Sequence, residues 1–287
     1  MAGDLRQLVE DELSAAVDPK VSAMAAAIAA KHGDASRAVL FYGSCLREQQ
    51  LEGLMLDFYL IVSSYDAAYD KRWLAKANAM IPPNVFPFQH GDLVAKYAVL
   101  SEGDFHRLNG PETSSVSVWA RFAQPSRLVW TLDEEARNKA IAAVARAAPT
   151  LLAAARPFPQ GDQLSPWRHA FALTYSAELR AERKGRSGSI VDTDPDRYRL
   201  FLNPAQAAIE QNAPGFGWWR RRVEGKLLSV LRLAKASATY AGGAEYIAWK
   251  INRHAGTDIK LKPWQKRHPL LAAISLLPRL LRSGAIR

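Results

Sequence analysis

The sequence predicts an α/β (α+β) fold whose N-terminal half alternates strands and helices and whose C-terminal half is mostly helical. Three observations carry that expectation. Short apolar runs rich in β-formers alternate with helical patterns up to about residue 155. Pro157, Pro159, Gly161 and Pro166 then interrupt the chain. Beyond them the apolar spacing is helical almost throughout.

Leu5, Leu8, Val9 and Leu13 recur at helical spacing and an alanine-rich stretch follows, so residues 5–31 read as a helix that Gly33 ends. Ala38 to Tyr42 is a short apolar strand that runs into Gly43-Ser44. Met55 to Val62 reads as a second strand. Ala67 to Met80 has a helical pattern, stopped by Pro82-Pro83. Leu93 to Leu100 is expected as a third strand, Ser115 to Phe122 as a helix and Arg127 to Leu132 as a fourth strand. Asp133 to Ala155 is expected as one alanine-rich helix, with Asp133, Glu134 and Glu135 at its positive N-terminal end. Arg156 to Pro166 is the best linker in the chain. Helices follow at 166–184, 204–211, 219–240, 243–254 and 269–282, and no internal repeat is evident.

Composition narrows the function classes. With 287 residues, 48% hydrophobic and 23% charged, the chain is ordinary globular material with enough length for a core. Its single cysteine, Cys45, excludes an intrachain disulfide and suggests a reducing compartment. A formal charge of +10 favours a polyanionic partner: nucleotide, nucleic acid or anionic lipid. Asp4, Glu10, Asp11 and Glu12 near the start are unlike a transit peptide, which favours a bacterial cytoplasmic protein. No apolar run approaches the roughly 20 residues that span a bilayer, so any work at a membrane is expected at its surface.

The chemistry concentrates in Phe41-Tyr42-Gly43-Ser44, a connecting loop, and Met55-Leu56-Asp57-Phe58-Tyr59-Leu60-Ile61-Val62. Gly43 allows close approach of backbone to a phosphate. Ser44 offers a hydroxyl and an N–H near a helix start, a cradle for phosphate oxygens. Asp57, entering an apolar strand, suits a divalent cation bridging triphosphate oxygens, and Mg²⁺ fits because it keeps oxygen ligands and works with substrate phosphates. Gly-Ser after one strand and an acid entering the next is the pattern of nucleotidyltransferases of the polymerase-β type. The alternative is a turn glycine and a strand-edge carboxylate. Many such enzymes carry a second acid two residues on; here that position is Tyr59.

Further segments resemble the translocator assembly and maintenance family, the soluble-type CDP-diacylglycerol synthases (phosphatidate cytidylyltransferases) of mitochondria and some bacteria. That family has Gly-Ser followed by a lone acid in an Asp-Phe-type strand. Its Lys-Tyr-Gly-Val strand is similar to Lys96-Tyr97-Ala98-Val99. Its Ala-Gly-Arg-Leu-x-Lys-Pro segment is matched more loosely by Trp119-Ala120-Arg121-Phe122-Ala123-Gln124-Pro125, and its Leu-Ser-Tyr-x-x-Asp-Phe-Arg segment by Leu173-Thr174-Tyr175-Ser176-Ala177-Glu178-Leu179-Arg180. The order is the same, over about residues 38–200. Gln124, Glu178 and Ala98 depart from the family's lysine, aspartate and glycine.

The resemblance implies a polymerase-β-type nucleotidyltransferase domain (1–155), a helical, winged-helix-like domain (156–258) and a basic amphipathic tail that contacts membrane (259–287). It implies attack of phosphatidic acid on the α-phosphate of CTP with Mg²⁺, releasing pyrophosphate. Asp57 would hold the metal, and Gly43, Ser44, Tyr42 and Arg121 the nucleotide. Lys96 sits among apolar residues, where an unpaired lysine is costly, so either a phosphate or an ion pair answers it. Glu178 and Arg180, just past the linker, would meet the substrate phosphate, Glu178 as a second metal or base contact and Arg180 as a clamp. For a second metal carboxylate, Asp66, Asp92, Asp104 and Glu178 all remain open. Cys45 and the histidines, including His90, His254 and His268, show no catalytic or metal spacing.

In the tail, Leu270, Leu271, Ile274, Leu277, Leu280 and Leu281 form one helical face flanked by Arg279 and Arg282. That suits an interfacial helix on an anionic membrane surface at the inner face of the membrane; an amphipathic helix capping its own core has the same pattern. Trp218-Trp219-Arg220-Arg221-Arg222 is a second basic-aromatic cluster. Two other functions compete: nucleotidyl transfer to a small alcohol or RNA end, and a non-enzymatic basic module for nucleic acid. The last lacks the aromatic strand motifs of RNA-recognition sheets.

Overall fold

A computed structural model describes residues 4–48, 51, 54–178, 186–211 and 215–239. Leu5, Val9 and Leu13 bury one face of α1 (Leu5–Ser14). The helix expected over 5–31 is two helices, because Asp18 caps a new one: α2 (Pro19–His32) starts with Asp18 accepting from the Lys20 N–H at 2.7 Å. Pro19 takes the first position, where its missing N–H is harmless. Gly33 ends α2 in the left-handed region at φ +52°, as expected.

β1 (Ser36–Tyr42) and β2 (Met55–Val62) flank the short α3 (Ser44–Glu48). The helix expected over 67–80 is α4 (Tyr65–Ala68) and α5 (Arg72–Met80), separated at Tyr69–Lys71. β3 (Asn84–His90) is a strand that the sequence pattern hides, because Pro87 sits inside it. Pro87 is tolerated because β3 is an edge strand. β4 (Leu93–Ser101) and the unforeseen α6 (Glu102–Asn109) follow. Of the helix expected over 115–122 only α7 (Trp119–Phe122) forms, ahead of β5 (Ser126–Thr131). The single helix expected over 133–155 is α8 (Glu134–Ala145) and α9 (Ala147–Ala154). Pro149 explains the break: it lacks the N–H that would bond the Ala145 carbonyl, and its ring crowds that oxygen.

Past the linker come α10 (Ser165–Ala177), α11 (Arg186–Thr193), α12 (Pro195–Ala207) and α13 (Trp218–Thr239). The helix expected at 204–211 begins nine residues earlier, where Asp194 caps and Pro195 opens it, and Pro204 lies inside. The segments 243–254 and 269–282, and with them the amphipathic tail, lie outside the described residues.

The five strands form one mixed sheet in the order β3-β4-β2-β1-β5, with β2 and β4 parallel and the other pairs antiparallel. Alternation splits the strands' side chains between two faces. Val39, Phe41, Phe58, Leu60, Tyr97 and Val99 pack against α2 on one. Leu40, Tyr59, Ile61 and Leu100 join Trp119, Phe122, Trp167 and Tyr198 on the other, so α10 and α12 share the core that lies under the sheet. Arg197 reaches from α12 to pair with Glu12 on α1. α13 crosses α10 backbone to backbone: a Cβ on Gly225 would collide with the Ala177 carbonyl. No single described helix is long and apolar enough to cross a membrane.

Candidate active site

Strand register builds the site. The β1–β2 ladder pairs Tyr42 with Asp57, and the β2–β4 ladder pairs Asp57 with Lys96. Paired residues project to the same face, so Tyr42, Asp57 and Lys96 form a row at one rim of the sheet. Lys96 Nζ lies 2.8 Å from Asp57 Oδ1. Both side chains are partly shielded, with 27% and 18% exposure. The Asp57 carboxylate is thus an ion-pair partner of Lys96.

Gly43 closes the other side of Asp57. It has φ +99°, and a Cβ there would lie 2.9 Å from Asp57 Oδ2. Only glycine combines that backbone angle with that approach. Asp57 Oδ1 is sealed from water, with the Lys96 ammonium as its partner. Ser44 follows Gly43 as the first, half-buried residue of α3. Cys45 is buried on the opposite face of the sheet, near the Met55 carbonyl at 3.5 Å, and acts as packing.

Deeper on the same face, Tyr59 stands where the second acid of the pattern would be, and it is buried. Arg121 on α7 faces it, donating to the Tyr59 hydroxyl at 3.5 Å and to the Ser117 carbonyl at 2.9 Å. Its guanidinium also lies 6.0 Å from the centre of the Tyr42 ring. Burial pulls the Arg121 pKa down, but the fields of Tyr59, Tyr42, Glu178 and Asp57 outweigh it and leave it above its ordinary value. Burial, then the Asp57 charge, pushes the Tyr42 phenol well up. Tyr42, Asp57, Arg121 and Glu178 thus share one electrostatic neighbourhood.

Glu178, at the C-terminal end of α10, is 8% exposed. Its Oε1 lies 3.8 Å from Nη1 of Arg232 on α13. Arg232 donates from Nε to the Pro82 carbonyl at 2.8 Å and from Nη2 to Ser115 Oγ at 3.5 Å. One turn on, Lys235 donates to the carbonyls of Ile81 and Pro83. Burial, with help from Arg232, pushes the Lys235 ammonium down to about 7. Arg180 lies outside the described residues.

Among the described residues no three His, Cys, Asp or Glu side chains cluster as a metal site. Of the acids considered as a second ligand, Asp104 and Asp66 follow the C-terminal ends of β4 and β2, at the opposite end of the sheet from Asp57. Asp104 is engaged there by the Tyr65 hydroxyl at 2.6 Å. Asp92 is exposed in the β3–β4 turn. Glu178 alone among them shares Arg121 with Asp57. Asp57 is the carboxylate of this row that could hold a Mg²⁺, which would require the Lys96 ammonium, 2.8 Å from its Oδ1, to give way.

Sequence reasoning missed Arg232, Lys235, Ser115 and Ser117. Nothing in their spacing distinguishes them from a solvated helix face or a loop. The basic-aromatic cluster at 218–222 divides. Trp218 donates to the Ala154 carbonyl at 2.8 Å and Arg221 is buried against Trp119, Phe216 and Trp218, whereas Trp219, Arg220 and Arg222 face outward. A cavity of about 240 Å³ beside Arg6, Arg146 and Glu210 lies between α1 and α9, away from this row.

No protein-family model matches the chain, and no curated protein matches it either. Solved structures that match include a nucleotidyltransferase-like protein from Exiguobacterium sibiricum 255-15. That match has a TM-score of 0.29 and 10% identity, and it covers 92% of this chain and 92% of that one. A likeness that slight carries no weight for fold or activity. What the chain itself establishes is a mixed α/β architecture, with a half-buried carboxylate, a left-handed glycine and a paired lysine gathered at one rim of a five-stranded sheet.

Proposed function

We propose that this protein is a polymerase-β-type nucleotidyltransferase of the translocator assembly and maintenance family, joining CTP to phosphatidic acid to give CDP-diacylglycerol and pyrophosphate. The observation that carries the reading is Asp57: a carboxylate on a central strand, pressed by Gly43 and paired at 2.8 Å with Lys96 alone among the described cations. A structural ion pair of that kind leaves acceptor capacity unused in a shielded place, which a metal–triphosphate complex would use.

In this reading Mg²⁺, when bound at Asp57, neutralises triphosphate charge. Lys96 and Arg121 hold phosphate oxygens and offset the negative charge that develops during transfer. Gly43 admits the phosphates close to the backbone, and Ser44 offers its hydroxyl beside them. Tyr42 and Tyr59 wall the site with rings and exclude water. A phosphate monoester is anionic at neutral pH, so attack needs positioning more than a base. Arg180 would contact the acceptor. Membrane contact is supported by α13, where Trp219, Val223 and Leu227, four residues apart on one face, are 77%, 50% and 57% exposed. Arg220, Arg222 and Lys226 flank them, also exposed. The test is pyrophosphate release from CTP and phosphatidic acid in mixed micelles with Mg²⁺. Release that depends on both substrates and vanishes in Asp57→Ala is expected; no release refutes the reading.

A further inference from the structure

Arg121 and Arg232 are tied to one strap of chain. Arg121 Nη1 donates to the Ser117 carbonyl at 2.9 Å, and Arg232 Nη2 reaches Ser115 Oγ at 3.5 Å. The two serine hydroxyls lie 3.2 Å apart and are buried. Two guanidinium groups from elements more than a hundred residues apart thus hold the same strap. Like charges held close need a counter-charge, and Glu178 supplies it. Its Oε1 lies 3.8 Å from Arg232, and the carboxylate is almost fully buried.

Among the described residues, Arg121 feels the charges of Glu178 and Asp57, Arg232 that of Glu178, and Asp57 is already paired with Lys96. Burial pulls the Arg232 pKa down, Glu178 and Tyr59 support its charge, and Arg121 opposes it. A dianion between the two guanidinium groups would meet both forks at once. Ser115, Ser117 and Tyr59 add hydroxyls around the same point.

We propose that Arg121 and Arg232 form a seat for a phosphate-monoester dianion, and that Glu178 is its internal occupant, displaced when the substrate's phosphate enters. Under the function proposed above, on which this rests for the identity of the ligand, the phosphate is that of the acceptor lipid. Glu178 then acts as a place-holder that keeps the guanidinium groups charged and apart from other anions, and it contributes no metal contact.

The test titrates the full chain with inorganic phosphate, without nucleotide or metal, by calorimetry. Glu178→Gln removes the competing charge and should bind about tenfold tighter than wild type. Arg232→Gln should bind at least about tenfold more weakly. If Arg232→Gln does not give a cooperative melt, Arg232→Lys keeps the charge without the fork and should bind severalfold more weakly. The seat is overturned if no variant binds phosphate, if Glu178→Gln binds no tighter, or if the folded arginine variant binds as wild type. In turnover, Arg232→Lys should raise KM for short-chain phosphatidic acid and leave KM for CTP unchanged; a rise in KM for CTP instead overturns the acceptor assignment. Absence of any turnover would remove the cytidylyltransferase reading and leave the phosphate titration intact. Equal phosphate binding by all variants beside normal turnover would remove the seat alone.

Discussion

Gly43→Ala isolates the feature on which the site turns. The new methyl meets two obstacles. The backbone sits at φ +99°, where a side chain costs roughly 1–2 kcal/mol. The Cβ would also lie 2.9 Å from Asp57 Oδ2 and 3.3 Å from its Cβ, so the carboxylate must move, at a further ~1–3 kcal/mol. Gly33→Ala is the internal control: φ is +52° and nothing lies within 4 Å of the added atom, so only the backbone cost applies. Urea unfolding at unchanged slope should give about 2–4 kcal/mol for Gly43→Ala and about 1 kcal/mol for Gly33→Ala. Combining Gly43→Ala with Asp57→Ala removes the collision and should recover at least about 0.5 kcal/mol relative to additivity. Turnover should fall sharply in Gly43→Ala and stay near wild type in Gly33→Ala. If the two glycine variants lose the same stability, and the double variant is additive, the close approach of backbone to carboxylate has no role.

Three further expectations test the neighbouring parts. Lys96→Met leaves the Asp57 carboxylate shielded and unpaired, and should cost about 1–3 kcal/mol by urea unfolding and roughly 10²–10³ in kcat; a variant with wild-type turnover would reduce Lys96 to a structural ion pair. Gly225→Ala drives a methyl into the Ala177 carbonyl and should cost about 1–3 kcal/mol while weakening phosphate binding, because Glu178 follows Ala177 directly; unchanged stability would contradict the close crossing of α13 and α10. Lys235 gives a pH signature. Its folded pKa, about 7, lies below its ordinary 10.5, so the unfolded chain binds the extra proton between those values. Stability relative to Lys235→Met should therefore rise with pH from about 7 towards 10.5, by a few kcal/mol at most, and a flat difference would show that the ammonium is not shielded.

Much of the sheet was legible in the sequence. β1, β2, β4 and β5 are apolar β-rich runs, and their bounds fall within two residues of those observed. β3 was not legible, because Pro87 forbids a ladder donor and the strand is tolerated only at the edge, a property of the assembled sheet. Helix boundaries failed where a local signal was present and underweighted: Asp18-Pro19 opens a helix, and Pro149 breaks one through the carbonyl four residues before it. The row of Tyr42, Gly43, Asp57 and Lys96 could be anticipated because adjacent strands carry it. Arg232 and Lys235 could not, since on α13 they are two cations among many, and only the crossing of that helix over α10 and beside β3 turns them inward.

That crossing also bears on what the charges are for. A protein that needs only stability can replace a buried ion network with apolar side chains of similar volume at little or no loss. Here a charged network is kept: Asp57 is pressed by Gly43 and paired with Lys96, Glu178 lies 3.8 Å from Arg232, and two guanidinium groups are anchored by one serine strap. An anion bearing several oxygens is the kind of guest such cations would hold. Functional sites are where such local costs persist while the surrounding packing holds them in place. The core around Trp119, Phe122, Trp167 and Tyr198 is dense enough to do so, and it ties the sheet that carries Asp57 to the helices that carry Glu178 and the guanidinium of Arg121.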